Sequence, residues 1–387
     1  MEAIELIELI ARGEDSRTQF KKGQDVTNAR SLAGEIVAYA NSKGGRILIG
    51  IDDAGSVSGL SADDIRRINE LISNTATDCV RPSINPETEN ISVGGKVVMV
   101  VTVPEGISKP YADNDGVFWV KSGADKRRVT SREEVQRMLQ GADLVHADKV
   151  PVDGTTSGDI DLEHFGALFS ELYGKCFDET GISLGQLLNN LGLARDTKLN
   201  LAGLMLFGRN PQRHRPAFVI KAVSFVGNDP AGERYRDSQD IGGCLRDLYK
   251  ETISFLTRNL RRVQNGKGFN TEGDLEVPPA ALEELVVNML LHRDYFISAP
   301  WRVFMFDNRI ELISPGALPN NITVENIKNG VSVIRNPLIA SFATKADELP
   351  YRDIGTGIRR ALAAVPELEL ESDHERNLFI ARIPRRE

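Results

Sequence analysis

Cysteine is scarce in this 387-residue chain: Cys79, Cys176 and Cys244 lie far apart, with no Cys-x-x-Cys pair. That spacing builds neither a disulfide framework nor a thiolate metal site, and it fits small buried thiols in a reducing cytosol. Histidine is scarce too, and His146, His164, His214 and His374 show no metal-ligand spacing. No apolar run approaches the ~18 residues of a membrane span. The opening MEAIELIELIARGED is acidic and amphipathic, unlike a secretory or transit leader, so the expected location is the cytoplasm, with no membrane partner. No Gly-x-x-x-x-Gly-Lys-Ser/Thr segment occurs, which leaves a P-loop motor without its triphosphate cradle. Internal repeats and low-complexity tracts are missing as well. Positive charge is in deficit, 47 Lys and Arg against 55 Asp and Glu for a net charge of −8. A surface coated in phosphate-binding charge is excluded, and any nucleic-acid contact needs a local basic patch.

What remains is an ordinary globular composition, 41% hydrophobic and 26% charged, at a length that suggests two or three domains. Periodicity predicts helices at 2–12, 28–41, 61–75 and 131–139, with strands at GGRILIGI, KVVMVVTV (96–103) and GVFWVKSG (116–123). Ser131 with Glu134 gives the last helix a capping-box signature. The expected class is α+β and multi-domain. The boundaries read as a first domain at 1–140, a Pro/Gly/Thr/Ser-bearing linker at 141–160, a mixed middle domain at 161–274 and a third domain at 275–387. A long amphipathic helix over 241–263, carrying Leu245, Leu248, Ile253 and Leu256, has no evident partner and suggests a homo-oligomer.

Two groups of residues in the first domain carry chemistry. Glu14 sits after the first helix, and Asp52 and Asp53 sit at the end of the Gly-Gly strand. Carboxylates brought together from separate elements hold Mg²⁺ or Mn²⁺ and activate water against a phosphodiester, and Lys21 and Lys22 would neutralise phosphate. The same spacing also fits solvated turn residues. The segment WVKSGADKRRVTSREE adds Lys121, Lys126, Arg127, Arg128 and Arg132 beside Phe118 and Trp119. Cations next to an aromatic platform suit backbone contact with base stacking; the alternative is a surface turn with Trp119 in the core.

Taken in order, Glu14 to Lys21, AYANSKGGRILIGIDDAG and KPYADNDGVFWVKSGADKRRVT resemble the Schlafen AlbA-type domain over about residues 1–140. The resemblance implies nucleic-acid binding. In some members a Glu, a second Glu five residues later and an Asp after the Gly-Gly strand form an RNA-cutting site. Glu14 matches the first and Asp52 or Asp53 the third, with Lys21 alongside. The second position is Gln19, an amide that binds a divalent cation weakly and cannot act as a general base.

Further along, ALEELVVNMLLHRDY places Glu284, Asn288 and His292 on one helix face at i, i+4 and i+8. Asn288 could hold a Mg²⁺-bound phosphate while Glu284 orients water; equally, the two could form the wet face of a helix whose other side is core. SPGALP contributes Ser314 and Gly316. DIGTGIRRAL contributes Gly355 and Gly357 at the start of a helix, where free N–H groups suit phosphates. With RIELISPGALP and IRNPLIA, the set resembles the divergent ATPase module of the GHKL superfamily found after Schlafen AlbA-type domains, over roughly 275–387. Such chains are often labelled RecG-like helicases or transcriptional regulators. The resemblance implies ATP with Mg²⁺, Glu284 activating water, Asn288 as metal ligand, and Gly355 and Gly357 as the phosphate loop. Ordinary members read adenine with an Asp where this chain has Ser314; Asp307 is a possible substitute, although FDNRIEL reads more simply as a hairpin turn.

Three readings follow. The favoured one is a nucleic-acid-binding regulatory protein, its partner DNA or RNA, whose C-terminal module binds ATP. The second is a Schlafen-type metal-dependent endoribonuclease acting on RNA such as transfer RNA, in defence against phage. The third is a GHKL-type ATPase that opens and closes a dimer.

Overall fold

A computed structural model describes residues 2–142, 144–231, 234–264, 273–319, 322–345, 349–351 and 355–385. They form two compact units, Met1–Val145 and His146–Glu387, each of mixed α and β structure.

In the first unit, α1 (Ala3–Arg12) stops at Gly13, whose φ of 80° suits a residue without Cβ. It is followed by β1 (Thr18–Lys21) and α2 (Ala29–Asn41), the latter capped by the Asn28 side chain. Next come β2 (Gly45–Ile49), α3 (Ala62–Asp78), β3 (Glu87–Val93) and β4 (Lys96–Val103). The sheet order is β1-β2-β4-β3, with β1 parallel to β2 and the other pairs antiparallel. Leu48, Val98 and Val100 pack with Leu6 of α1; Ile47, Ile49, Met99 and Val101 pack with Ile36, Val37, Ile68 and Ile72 of α2 and α3. Both sheet faces are therefore covered, which is why β2 and β4 read as unbroken apolar runs. Strand β3 (ETENISV) has few apolar residues and escapes a hydrophobic-pattern reading. Its signal is the turn at Gly94 and Gly95, φ 58° and 80°, between it and β4. A hairpin, β5 (Trp119–Ser122) with β6 (Asp125–Arg128), leads to α4 (Arg132–Gly141).

The second unit begins inside the stretch expected to be a linker. Val152 and Ile160 are fully buried, and Pro151 and Ile160 form bridges to Asn200 and Gly208. Asp148 is buried as well, and its Oδ2 accepts from the N–H groups of Leu338 (2.7 Å) and Ile339 (3.0 Å). Small helices α5 (Leu162–Tyr173), α6 (Leu184–Asn190) and α7 (Leu201–Phe207) follow. Then come β7 (Ile220–Phe225), β8 (Tyr235–Ile241), α8 (Leu245–Asn259) and α9 (Pro279–Leu291). The remainder is β9 (Trp301–Met305), β10 (Arg309–Pro315), α10 (Val324–Lys328), α11 (Pro337–Ala343), α12 (Gly357–Ala364), β11 (Glu369–Asp373) and β12 (Leu378–Pro384).

The boundary expected at 274/275 does not separate two cores. One six-stranded sheet, ordered β8-β7-β9-β10-β12-β11, draws strands from both sides of it, and one hydrophobic cluster runs from Ala147 to Ile383. The parallel pairing of β7 with β9 is non-local, so no local signal marks it. Helix α8 likewise differs from expectation. Its apolar residues Leu245, Leu248, Phe255 and Leu256 are buried in this same core, so that face is not left for a second copy of the chain. The cysteines are all free; Cys244 is buried, whereas Cys176, expected to be a buried thiol, is exposed. Among the described residues no helix is long and apolar enough to cross a membrane.

Candidate functional site

In the first unit, alternation along β1 turns Thr18 and Phe20 inward toward the α1 side and leaves Gln19 and Lys21 on the α2 side. Glu14 precedes the strand, and its Oε1 accepts from the Phe20 N–H at 2.7 Å. Asp52 follows β2, so the parallel register places the backbones of Glu14 and Asp52 at opposite ends of the strand pair. The Asp52 carboxylate closes its own turn, accepting from Ala54 (3.1 Å) and Ser56 (2.7 Å), and Asp53 is an exposed turn residue. Among the described residues no group of three His, Cys, Asp or Glu side chains is placed to hold a metal ion. The acidic set Glu14, Asp52 and Asp53 thus does not present a fitting donor cluster for Mg²⁺ or Mn²⁺.

What gathers instead is a lysine cluster around Glu35, a residue that sequence spacing does not single out. Glu35 is 4% exposed on α2, with Lys126 Nζ at 3.2 Å and Lys21 Nζ at 3.7 Å from its Oε1. Lys121 Nζ lies over the Tyr39 ring at 4.8 Å and makes a long contact of 3.5 Å to Gln19 Oε1. Burial pulls the Lys121 ammonium below its usual range, against the attraction of Glu35, Asp125 and Glu14. Burial likewise raises the Tyr39 hydroxyl above its ordinary value, helped by Glu35, Asp15 and Glu14.

The basic segment divides into buried and exposed parts. Lys126 also donates to Ser31 O and lies over Trp119. Arg127 is held by Glu134 through two hydrogen bonds of 2.9 and 2.6 Å. Ser131 Oγ still accepts from the Glu134 N–H, but the Glu134 carboxylate of the expected capping box is turned to Arg127. Arg128 and Arg132 are exposed, and Lys22 is half-buried. Trp119 is not a free stacking platform: its Nε1 donates to Asp113 (2.8 Å) and its ring packs on the α2 core.

In the second unit, Glu284, Asn288 and His292 do line one cleft, together with Ser314, Gly316, Arg335, Tyr351, Gly355, Thr356, Gly357 and Arg360. Helix α9 provides one wall. Its Leu282, Leu285, Val286 and Leu290 are buried in the core, which orients the Glu284 face toward α12. Glu284 is only 8% exposed; its Oε1 accepts from Asn288 Nδ2 (3.0 Å) and its Oε2 from Arg360 Nη2 (2.6 Å). Arg360 also donates to Thr356 Oγ1 at 2.9 Å. The would-be water-activating carboxylate is therefore neutralised by a guanidinium. Gly357 is required by proximity, because a Cβ there would stand 1.6 Å from Glu284 Oε1. Gly355 has φ 68°, and a Cβ would meet Gly330 O at 2.4 Å. Asp353 and Ile354, which open the DIGTGIRRAL segment, lie outside the described residues.

The far end of the cleft is held by buried arginine chemistry. Arg293 is fully buried, donates to Ile297 O (2.6 Å) and Ala299 O (2.5 Å), and lies over Trp301 and Phe218 at 4.3 and 4.5 Å. Burial pulls its guanidinium down to about 10. Asn336 of IRNPLIA donates to Leu291 O and Arg293 O, tying the turn after α9 to the start of α11. Ser314 Oγ donates to Met289 O at 3.1 Å. Asp307, in the β9–β10 turn, pairs with Arg236 at 2.7 Å and accepts from the N–H of Gly227 in the β7–β8 connection; it is not among the residues lining the cleft.

Family comparison agrees with this layout. Residues 14–130 match the family model described as "Schlafen, AlbA_2". Residues 299–383 match the one described as "Putative ATP-dependent DNA helicase recG C-terminal". No curated protein matches the chain. Among solved structures, the DIP2311 protein from Corynebacterium diphtheriae aligns over 99% of this chain and 80% of its own, at 20% identity and a TM-score of 0.43. The N-terminal domain of a RecG-related protein from Nitrosomonas europaea aligns over 34% of this chain and 96% of its own, at 27% identity and a TM-score of 0.25. The chain thus joins a Schlafen AlbA_2 domain to a C-terminal ATPase-like domain of the recG C-terminal type.

Proposed function

We propose that this chain is a nucleic-acid-binding regulatory protein whose second unit holds a nucleotide and turns it over slowly or not at all. The observation that carries the reading is the Glu284–Arg360 pair of 2.6 Å inside a cleft that also collects Asn288, Ser314, Gly316, Gly355 and Gly357. A general base needs a carboxylate oxygen free to meet the attacking water, and here Asn288 engages Oε1 while Arg360 engages Oε2. Gly355 and Gly357 lead into the first turn of α12 at the edge of the cleft, where backbone N–H groups suit a phosphate. The nucleic-acid arm is supported by Lys21 and Lys126 gathered on the Glu35 carboxylate, with Lys121 beside them over Tyr39 and exposed Arg128 and Arg132 in the same unit. Gln19 and the dispersed aspartates favour holding a phosphodiester over cutting it.

The test uses the full chain. Labelled single-stranded and duplex probes should be retarded in a gel at low ionic strength, with affinity falling steeply as salt rises. Joint Arg128→Glu and Arg132→Glu replacement should abolish the retardation without changing the melting temperature. Nucleoside triphosphate with Mg²⁺ should raise the melting temperature by mass action. No retardation at low salt and no thermal shift would overturn the proposal. Discrete RNA fragments formed with Mn²⁺ would replace the first arm by the nuclease reading.

A further inference from the structure

We propose that Arg360 grips the terminal phosphate of a nucleotide in the second-unit cleft and that Glu284 competes with that phosphate as an internal stand-in; this rests on the nucleotide reading above. Among the described residues lining the cleft there is one carboxylate, Glu284, and there are two guanidinium groups, Arg335 and Arg360. Arg335 is fixed by donation to Ala317 O and, at 3.5 Å, to His292 O. It is also wedged beside Gly316, where a Cβ would meet its Nη1 at 2.6 Å. Arg360 has more freedom, with its side chain 50% exposed, whereas Glu284 is nearly buried.

Hydrogen-bond capacity points the same way. A guanidinium carries a planar fork of N–H donors and accepts nothing. Arg360 Nη2 donates to Glu284 Oε2 at 2.6 Å and its Nη1 to Thr356 Oγ1 at 2.9 Å. Its Nε–H donates to no group among the described residues, so the fork has room for a further acceptor. Glu284, by contrast, has both carboxylate oxygens engaged, Oε1 by Asn288 and Oε2 by Arg360.

Position makes the two anions rivals. Arg360 stands in the first turn of α12, its backbone N–H donating to Thr356 O at 3.0 Å. A Cβ on Gly357 would lie 1.6 Å from Glu284 Oε1, so the carboxylate, the glycine turn and the guanidinium share one small volume. A phosphate seated on the N–H groups of that turn meets Arg360 where the carboxylate now does. A phosphate monoester carries about 1.5–2 negative charges at neutral pH and three acceptor oxygens, against one charge and two oxygens for Glu284. Arginine pairs with phosphate through two parallel bonds, so the guanidinium transfers to the nucleotide. The transfer strips a nearly buried carboxylate of its counter-charge, and that penalty lowers nucleotide affinity. It also releases Glu284 Oε2, so any turnover waits for it.

The experiment titrates the full chain with ATP and Mg²⁺ by calorimetry, beside Arg360→Gln and Glu284→Gln. Arg360→Gln keeps a donor and removes the charge, and it should bind ATP about tenfold more weakly than the wild type. Glu284→Gln keeps an acceptor for Asn288 and removes the rival anion, and it should bind ATP severalfold more tightly. The opposite signs are the signature, because a pair that only holds the cleft together would lose affinity in both variants. Melting curves check folding; if only one variant folds, its titration decides alone. Unchanged ATP affinity in Arg360→Gln, or no gain in Glu284→Gln, overturns the inference while wild-type binding leaves the nucleotide reading in place. No ATP binding by the wild type or either variant removes both.

Discussion

Glu284 and Arg360 form an ion pair of 2.6 Å with Gly357 lodged against the same carboxylate. Three residues from two helices thereby close one end of the second-unit cleft. The contact joins the motif on α9 to the glycine segment before α12, and it sets the charge state in which the cleft meets a ligand.

Gly357→Ala tests that closure. The added methyl would lie 1.6 Å from Glu284 Oε1, so either α12 or the carboxylate must move. Overpacking of this kind costs about 1–3 kcal/mol. Gly185→Ala in α6 is the matched control, since a Cβ there meets nothing within 4 Å. Calorimetric melting should show a drop of several degrees for Gly357→Ala and none for Gly185→Ala. Loss of the nucleotide-induced thermal shift should accompany the first change.

The lysine cluster predicts a contrast within the first unit. The Glu35 side chain is only 5% exposed and serves Lys21 and Lys126, whose side chains are partly exposed. Glu35→Gln removes the charge both lysines face, while their reach to solvent limits the penalty to about 1–3 kcal/mol. Glu134→Ala breaks the Arg127 pair, which lies nearer the surface, and should cost less than about 1 kcal/mol. Urea denaturation of the two variants reads the difference; equal effects would mean that Glu35 does not organise the cluster.

How much of this could be read from the residues follows contact distance along the chain. The helices that begin near Asn28 and Ser61 and the strand Lys96–Val103 are local features, and sequence pattern locates them, although their side-chain caps are read only from the structure. Glu284 with Asn288 is local too, as an i, i+4 pair on one helix. Arg360 is not, because its link to Glu284 crosses the whole β9–α12 segment and carries no spacing signature. Glu35 hides for a related reason: it stands inside the apolar run of α2, and its partners Lys21 and Lys126 come from β1 and β6. The lone carboxylate amid SLAGEIVAYA was the available signal. The stretch 141–160 reads as a linker by composition, yet Asp148 is committed to the N–H groups of α11 far along the chain.

That same Asp148 gives a pH prediction. Burial raises its carboxyl above the ordinary aspartate value of 3.8, although the Ile339 and Leu338 N–H groups and nearby His146 and Lys149 pull the other way. Oδ1 is buried with no hydrogen-bond partner, which fits a site that favours the protonated form. The folded state therefore binds the proton more tightly than the unfolded chain. Stability from this group is fully present below 3.8 and is lost as pH rises through the raised folded value. Asp148→Asn keeps an oxygen to accept from α11 and cannot ionise. Its melting temperature should gain on the wild type as pH climbs through that window and hold a constant lead above it. A difference between the two proteins that stays flat from pH 3 to pH 8 would show that burial does not control this carboxyl.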